Sequence, residues 1–401
     1  MAPSMMQSAT ALVAGLGACF AAAAAPLPSF FGEAAIPSSW PPHFPCAASD
    51  DGMVGLRITH GLNAGAKPEL HSVDLASGGS LGVLDSLDLD LYTNEVLGMR
   101  VSGDRAYLVP GLTVVDISDP GNLTVLGSEP GFGDIGASVG FSSLAVQGTT
   151  VYVLRGGFSV AIYDCADPAN IIHVGTVQIT GLGGVLSIDT IGDDKIIIGR
   201  SWQGATIHDT SVLGSLPVIG TVGGFQSSTL DVNDDLDVAY VLREDTSQIV
   251  LTSVDISDPT APMMLDQYDL DDVSLFENTG PIAAIGDDIL AIYVHFGRIE
   301  LFDVSDPSDL VRMDPILENA ENLARVDAES LLLATSNGVA VYSFAPCAAD
   351  LTGDGLLNFF DISAFVNAFL AMDPVADFTG EGDFNFFDFS AYLAAFSAGC
   401  P

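Results

Sequence analysis

The stretch Leu-Thr-Val-Val-Asp-Ile-Ser-Asp-Pro at residues 112–120 recurs along the chain, and its recurrence limits the fold more than any other feature. Val-Asp-Ile-Ser-Asp-Pro returns at 254–259, Phe-Asp-Val-Ser-Asp-Pro stands at 302–307 and Tyr-Asp-Cys-Ala-Asp-Pro at 163–168. Weaker copies lie at 71–75, 205–210 and 339–344. Marked by its aspartate, the series runs Asp74, Asp116, Asp164, Asp209, Asp255 and Asp303, with Ser343 in the seventh place, at steps of 40–48 residues. A period of that length means a repeat architecture, in which no unit buries its apolar face alone and each must stack on its neighbours.

Within each period, short runs rich in Val, Ile and Leu alternate with clusters of Gly, Asp, Pro and Asn. Runs of that length and β-branched content are strands, and no sustained helical period occurs between Met53 and Phe344. One unit shows the logic. Residues 96–101, 105–109, 112–117 and 123–127 are expected as four strands, with turns at Ser102-Gly-Asp and Ser118-Asp-Pro-Gly. Asp119 can hydrogen-bond its own backbone and Pro120 fixes φ, so neither continues a strand. Four antiparallel strands in a period of about 45 residues describe a propeller blade. The expected fold class is therefore all-β, with about seven four-stranded blades over residues 53–345 and six or eight as alternatives. The last unit has no outer strand before Cys347, so a segment within residues 30–60 is expected to complete that blade and hide its free edge. Residues 26–52, Pro-rich and aperiodic, are read as a leader with a possible closing strand.

The charge balance removes one class of partner. Against 11 Lys and Arg stand 52 Asp and Glu, a formal net charge of −41, which repels phosphate backbones and argues against nucleic-acid binding. Residues 1–25 read as a secretory signal peptide, apolar from Ala9 to Ala25 and ending in small residues, although no Lys or Arg precedes Arg57. The alternative is a lipoprotein signal, because Leu16-Gly-Ala-Cys19 resembles the box before a lipidated cysteine. The run is short and rich in Ala and Gly for a retained anchor, so no membrane span is expected in the mature chain. Either route leads outside the cytoplasm, to a secreted or cell-surface location where disulfides persist. Cys46, Cys165, Cys347 and Cys400 then remain, and four cysteines allow three pairings.

The character changes at residue 346. Ten of the 22 phenylalanines lie in the last 55 residues, together with eight acids and no Lys or Arg. Two segments, 350–361 and 377–388, align at an offset of 27 residues. Each places oxygen-bearing residues at positions 1, 3, 5, 9 and 12 with Gly at 6, the spacing of an EF-hand loop that gathers oxygens around a hard cation. Two Ca2+ sites are expected. The first would use Asp350, Thr352, Asp354, the Leu356 carbonyl, Asn358 and Asp361; the second Asp377, Thr379, Glu381, the Asp383 carbonyl, Asn385 and Asp388. The alternative is a pair of helix-capping turns that bind nothing, since Asp361 and Asp388 suit helix starts. Each loop runs into a helix, with Ile362, Phe365, Val366, Phe369 and Leu370 on one stripe and Phe389, Tyr392, Leu393 and Phe396 on the other.

Nothing in the sequence assigns a catalytic residue. The six histidines show no metal-site spacing, and no nucleophile elbow, P-loop or dinucleotide fingerprint occurs. Adjacent acids such as Asp193-Asp194 and Asp234-Asp235 read as turns in so acidic a chain. The marker aspartates recur in nearly every unit, which fits a turn role better than an active centre.

The marker strands resemble the LVIVD repeat, a propeller-type repeat of secreted and surface bacterial proteins; the resemblance covers roughly residues 53–345 and implies a fold without a fixed chemistry. Residues 346–401 resemble a dockerin, the duplicated calcium-loop and helix module that attaches secreted proteins to partners. The ending Gly399-Cys-Pro401 with an upstream Cys347 is similar to the variant found in planctomycete-type bacteria. That resemblance implies a Cys347 to Cys400 disulfide and a cohesin-like or other surface anchoring partner. It departs at position 3, where Thr352 and Thr379 stand in place of Asn or Asp, and on the helices, which carry Ala, Phe and Asn where cohesin-binding dockerins show Ser, Thr and basic residues. The expected function is a non-catalytic propeller that binds or displays, with an unknown protein or polysaccharide ligand, anchored through the tail. The rival is a dockerin-tagged hydrolase of polysaccharides, which would need acids converging on the central channel.

Overall fold

The computed structural model describes residues 28–398 apart from 37–44, 61–66, 77–80, 91–95, 97, 130–142, 156, 181–183, 202–203, 224–226, 228, 245–248, 271–278, 295–297, 319, 345–347 and 353–356. Its strands form seven separate sheets set round an axis, so the chain is a seven-bladed propeller followed by a region with two helices. Blade 1 holds Cys46–Ala48, Val54–His60, Pro68–Asp74 and Gly82–Asp88 from inside to outside. The inner strands of blades 2 to 7 are Gly98–Ser102, Leu144–Gln147, Val185–Ile191, Thr229–Asn233, Thr279–Ile285 and Ala320–Arg325. Successive inner strands adjoin all the way round and line the channel. Blade 6 has a divided outer edge, in which Val311–Arg312 and Ile316–Leu317 both pair with Arg298–Asp303.

Blade 7 is completed from the other end of the chain. Ser29–Ala35 pairs antiparallel with Gly338–Ser343, from Ser29 opposite Ser343 to Ala35 opposite Gly338. The ring therefore begins inside the segment read as a leader, and it takes a second strand from there, Cys46–Ala48.

Apolar side chains collect between blades. Seven buried clusters each draw on two adjacent blades; the one joining blades 7 and 1 contains Ala34, Ile36, Val73, Leu332 and Val341. This follows from strands buried on both faces, which read as continuous Val, Ile and Leu. Each blade-to-blade layer removes apolar area from water at about 25 cal/mol per Å², the dominant favourable contribution.

The marker aspartates are turn residues. Asp74, Asp116, Asp164, Asp209, Asp255 and Asp303 each accept the N–H two residues on, at 2.7–3.0 Å. The Asp-Pro turns that follow also join blades. Ser72 Oγ donates to the Pro120 carbonyl at 2.5 Å and Ser253 Oγ to the Pro307 carbonyl at 2.6 Å. Asp85 and Asp266 then accept the Leu123 and Leu310 N–H groups of the next blade at 2.7 and 2.9 Å. Where blade 2 meets blade 3 and blade 4 meets blade 5, Val114 and Ile207 replace such a serine and their outer-strand partners are Gly127 and Gly220, where a Cβ would overlap the carbonyl of Pro168 or Pro259. The repeat is thus scaffold.

The C-terminal region holds helices α1 (Phe359–Ala371) and α2 (Phe386–Ala398) over a core of its own. Phe365 and Tyr392, 27 residues apart, stack at 4.0 Å with their planes 2° apart, so the internal repeat places equivalent rings against each other. Leu370 and Leu393 depart from the expected stripes. They are 75% and 41% exposed, since the rings of Phe365, Phe369, Phe389 and Tyr392 already fill the interface. No helix among the described residues is long and apolar enough to cross a membrane.

Candidate functional site

The second tail loop is described at all twelve positions. Gly380 and Gly382 have φ of +69° and +82°, a region that a side chain opposes. The turn they make brings the Gly382 N–H to Asp377 Oδ2 at 2.7 Å. Asp388 Oδ1 accepts the Thr379 N–H at 3.0 Å and its hydroxyl at 2.8 Å, while Oδ2 accepts the Asn385 N–H at 2.8 Å. The first loop repeats this set. Asp361 accepts the Thr352 N–H at 3.1 Å, the Thr352 hydroxyl at 2.7 Å and the Asn358 N–H at 2.9 Å. Asn358 and Asn385 cap the helices by accepting from Phe360 and Phe387 N–H, each at 2.7 Å.

Asp361 and Asp388 are fully buried. The Asn385 N–H leads the interactions that hold the Asp388 carboxyl below the usual carboxylate range. Burial opposes the charge on Asp361, but the Asn358 N–H and the Thr352 groups outweigh it and lower that carboxyl too. Asp350 and Asp377 lie beside these two acids, and no Lys or Arg follows Arg325 in the chain. Both anions therefore lack a cationic side chain within their own module.

The donor set is all oxygen, as a hard divalent ion requires, and the left-handed glycines and inward carboxylates of the second loop fit it. The fit is incomplete in this conformation. Among the described residues no three His, Cys, Asp or Glu side chains converge as a metal group. Asn385 turns its amide oxygen to the helix cap and its nitrogen to Glu381 and to the Asp383 carbonyl. Asp354, Leu356, Cys347 and Cys400 lie outside the described residues, as do residues 1–25 with Cys19.

Beside the loops stand four phenylalanines that sequence reasoning passed over. Phe359, Phe360, Phe386 and Phe387, at positions 10 and 11 of the two loops, are 73, 69, 77 and 68% exposed. Their helices begin there, and both rings of each pair point away from the Phe365–Tyr392 core. Large rings this exposed mark an interaction surface more often than a resting surface.

A second candidate is the channel itself, where a cavity of about 650 Å³ opens at the turns that follow the inner strands. Asp189 and Asp231, from blades 4 and 5, line it. Burial, and then the neighbouring Asp189 carboxylate, push the Asp231 carboxyl up to about 7. Both acids also join blades, since Asp189 Oδ2 accepts the Val232 N–H at 3.3 Å and Asp231 Oδ2 the Ala284 N–H at 2.8 Å. Nothing in their sequence context separates them from the other acids, so only the fold brings them forward.

Two buried histidines have structural partners. His208, buried, bonds Thr206 at 2.8 Å and the Leu216 carbonyl at 2.9 Å; His71 lies between Thr59 at 2.6 Å and Ser86 at 2.7 Å. Cys46 and Cys165 are buried free thiols, and burial pushes them up to about 12 and about 11, away from the thiolate that reacts.

The LVIVD repeat model matches residues 96–128 and 246–270, the marker strands of blades 2 and 5 among them. No curated protein matches the chain. A solved structure described as "Structure of U3-55K" is similar with a TM-score of 0.56 at 13% identity, over 76% of this chain and 96% of that one. At that identity the likeness is one of fold alone. The chain thus carries LVIVD repeats within a seven-bladed propeller.

Proposed function

We propose that this chain is a secreted, non-catalytic propeller that binds or displays, held to a cell surface or a multiprotein complex by a calcium-dependent, dockerin-like tail spanning residues 346–401. The propeller fold and its LVIVD repeats suit a binding role. The observation that carries the anchoring half is the duplicated tail: two equivalent loops present buried carboxylates without cationic partners, each beside a pair of exposed phenylalanines. Ca2+ would be held by Asp350, Thr352, Asp354, the Leu356 carbonyl, Asn358 and Asp361 in one loop. Asp377, Thr379, Glu381, the Asp383 carbonyl, Asn385 and Asp388 would hold it in the other. The ion would fix the loops and so the spacing of the four rings, which meet an apolar surface of the anchoring protein. A Cys347 to Cys400 bond would close the module.

The test is binding of the full chain to the surface of the cells that secrete it, with calcium and with chelator. Retention in calcium, release by chelator and loss on changing Phe359, Phe360, Phe386 and Phe387 to Ser support the reading. Release that ignores both calcium and the phenylalanines contradicts it.

A second reading, hydrolysis of polysaccharide, is favoured by one observation, the Asp189 and Asp231 carboxylates in the channel. A carboxyl raised to about 7 beside another acid resembles the acid and base pairing of such enzymes. A screen of polysaccharide hydrolysis decides between them; turnover abolished by Asp189→Asn or Asp231→Asn establishes the enzyme.

A further inference from the structure

The channel mouth has walls of opposite charge. Blades 4 and 5 contribute Asp189 and Asp231, and blades 2 and 7, on the far side of a seven-membered ring, contribute Arg100 and Arg325. The two arginines are two of only 11 cations against 52 acids, yet neither forms an ion pair within 4.0 Å among the described residues. Other cations of the chain stand against carboxylates, as in Arg57 with Glu321 at 3.3 Å and Arg312 with Glu300 at 2.7 Å. The arginine wall also carries an unmatched donor. Asn322, one of the residues that line the cavity, is 3% exposed; its oxygen accepts the Leu323 N–H at 2.8 Å and faces the Cys46 thiol at 3.9 Å, and its amide nitrogen is buried with no partner among the described residues. A buried donor left unsatisfied costs free energy that a ligand can recover.

We propose that this mouth binds a small zwitterion of the amino-acid type, its carboxylate taken by Arg100, Arg325 and the Asn322 amide and its ammonium by Asp189 and Asp231. Each wall alone has the donors or acceptors for one end of such a molecule. The cavity, about 650 Å³, falls within the roughly 300–1,000 Å³ usual for small-ligand sites. Burial and Asp189 raise the Asp231 carboxyl, and the attraction of Arg325 and Arg100 across the mouth offsets them only in part; an ammonium between the two acids would add to that attraction. The site is independent of the tail and of its calcium.

The test uses the full chain and six probes: L-serine, L-glutamate and L-lysine as zwitterions, ethanolamine and lactate with a single charge each, and glucose as a neutral polyol. Binding is followed by the rise in unfolding temperature with probe concentration. At least one amino acid gives a saturable rise, ethanolamine and lactate bind at least about tenfold more weakly, which is the loss of one charge-assisted contact, and glucose gives no rise. Arg325→Gln, a side chain without a hydrogen bond to any described residue, folds as the native chain does and weakens the amino acid by a similar factor. The proposal is overturned if no amino acid binds, if glucose or a singly charged probe binds as tightly, or if Arg325→Gln leaves the affinity unchanged.

Discussion

Gly338→Ala tests how the ring is closed with the addition of one methyl group. Gly338 opens the last marker strand and lies opposite Ala35 of the closing strand. A Cβ at Gly338 would overlap the Ala34 carbonyl oxygen and stand 2.8 Å from Ile36 N, both backbone atoms that have no rotamer to escape into. The closing strand must therefore shift. Overpacking of that kind costs about 1–3 kcal/mol. Ala34 and Ile36, 5 and 4% exposed, are seated between blades 7 and 1 by the same strand, so the upper end of that range is expected. For a ring that runs from Ser29 to Ser343, about 2.1 cal/mol/K per residue makes each kcal/mol worth about 1.5 °C, and the unfolding temperature falls by roughly 3–5 °C. Gly175→Ala is the control, since it also lies in a blade strand but meets nothing within 4 Å; it changes stability by less than about 1 kcal/mol. Hydrogen exchange within Ser29–Ala35 reports where the change acts, and it rises in Gly338→Ala alone. Equal unfolding temperatures for the two variants, or exchange unchanged in the closing strand, would refute closure by strand exchange between the termini.

Other outcomes follow from single contacts. Ser72→Ala leaves the Pro120 carbonyl and the Asp85 N–H without their shared partner and lowers stability by about 1–3 kcal/mol, measured by denaturant unfolding; Ser253→Ala does the same between blades 5 and 6. The Asp231 carboxyl is raised from 3.8 to about 7, so the folded state holds its proton longer than the unfolded state and this group loses stability as pH climbs from about 4 to 7. Asp231→Asn removes that loss and gains on the native chain across the same window, by up to about 4 kcal/mol at neutral pH. His71 runs the other way. Burial, then Arg57, lower it from 6.5 to about 4, so its contribution is full above pH 6.5 and is lost as pH falls towards 4, and His71→Gln flattens that limb of the acid unfolding curve.

Legibility in the sequence tracked how local each interaction is. The marker strands were readable because each Asp bonds a backbone group two residues away and each Asp-Pro turn stops its strand, so every copy carries its own signal. Blade 2 shows the usual error at an edge, its inner strand running over Gly98–Ser102 where 96–101 was expected. The closing strand was expected only as a need of the last blade; its partner Gly338–Ser343 lies some three hundred residues away, and no local pattern in Ser29–Ala35 names it. The channel was illegible for a related reason. Asp189, Asp231, Arg100 and Arg325 meet only because four inner strands converge, and two acids among 52 are not conspicuous. In the tail, the 27-residue offset predicted the equivalent loops and helices, but not that Leu370 and Leu393 would be displaced to the rim by aromatic rings.

The calcium-dependent tail is the centre of the proposed function, and calorimetry of the full chain with Ca2+ tests it most directly. Two sites are expected, and Asp350→Ala combined with Asp377→Ala abolishes the heat while the propeller's unfolding transition is unchanged. A native chain that shows no heat above background, or a double variant that binds as the native chain does, contradicts the account.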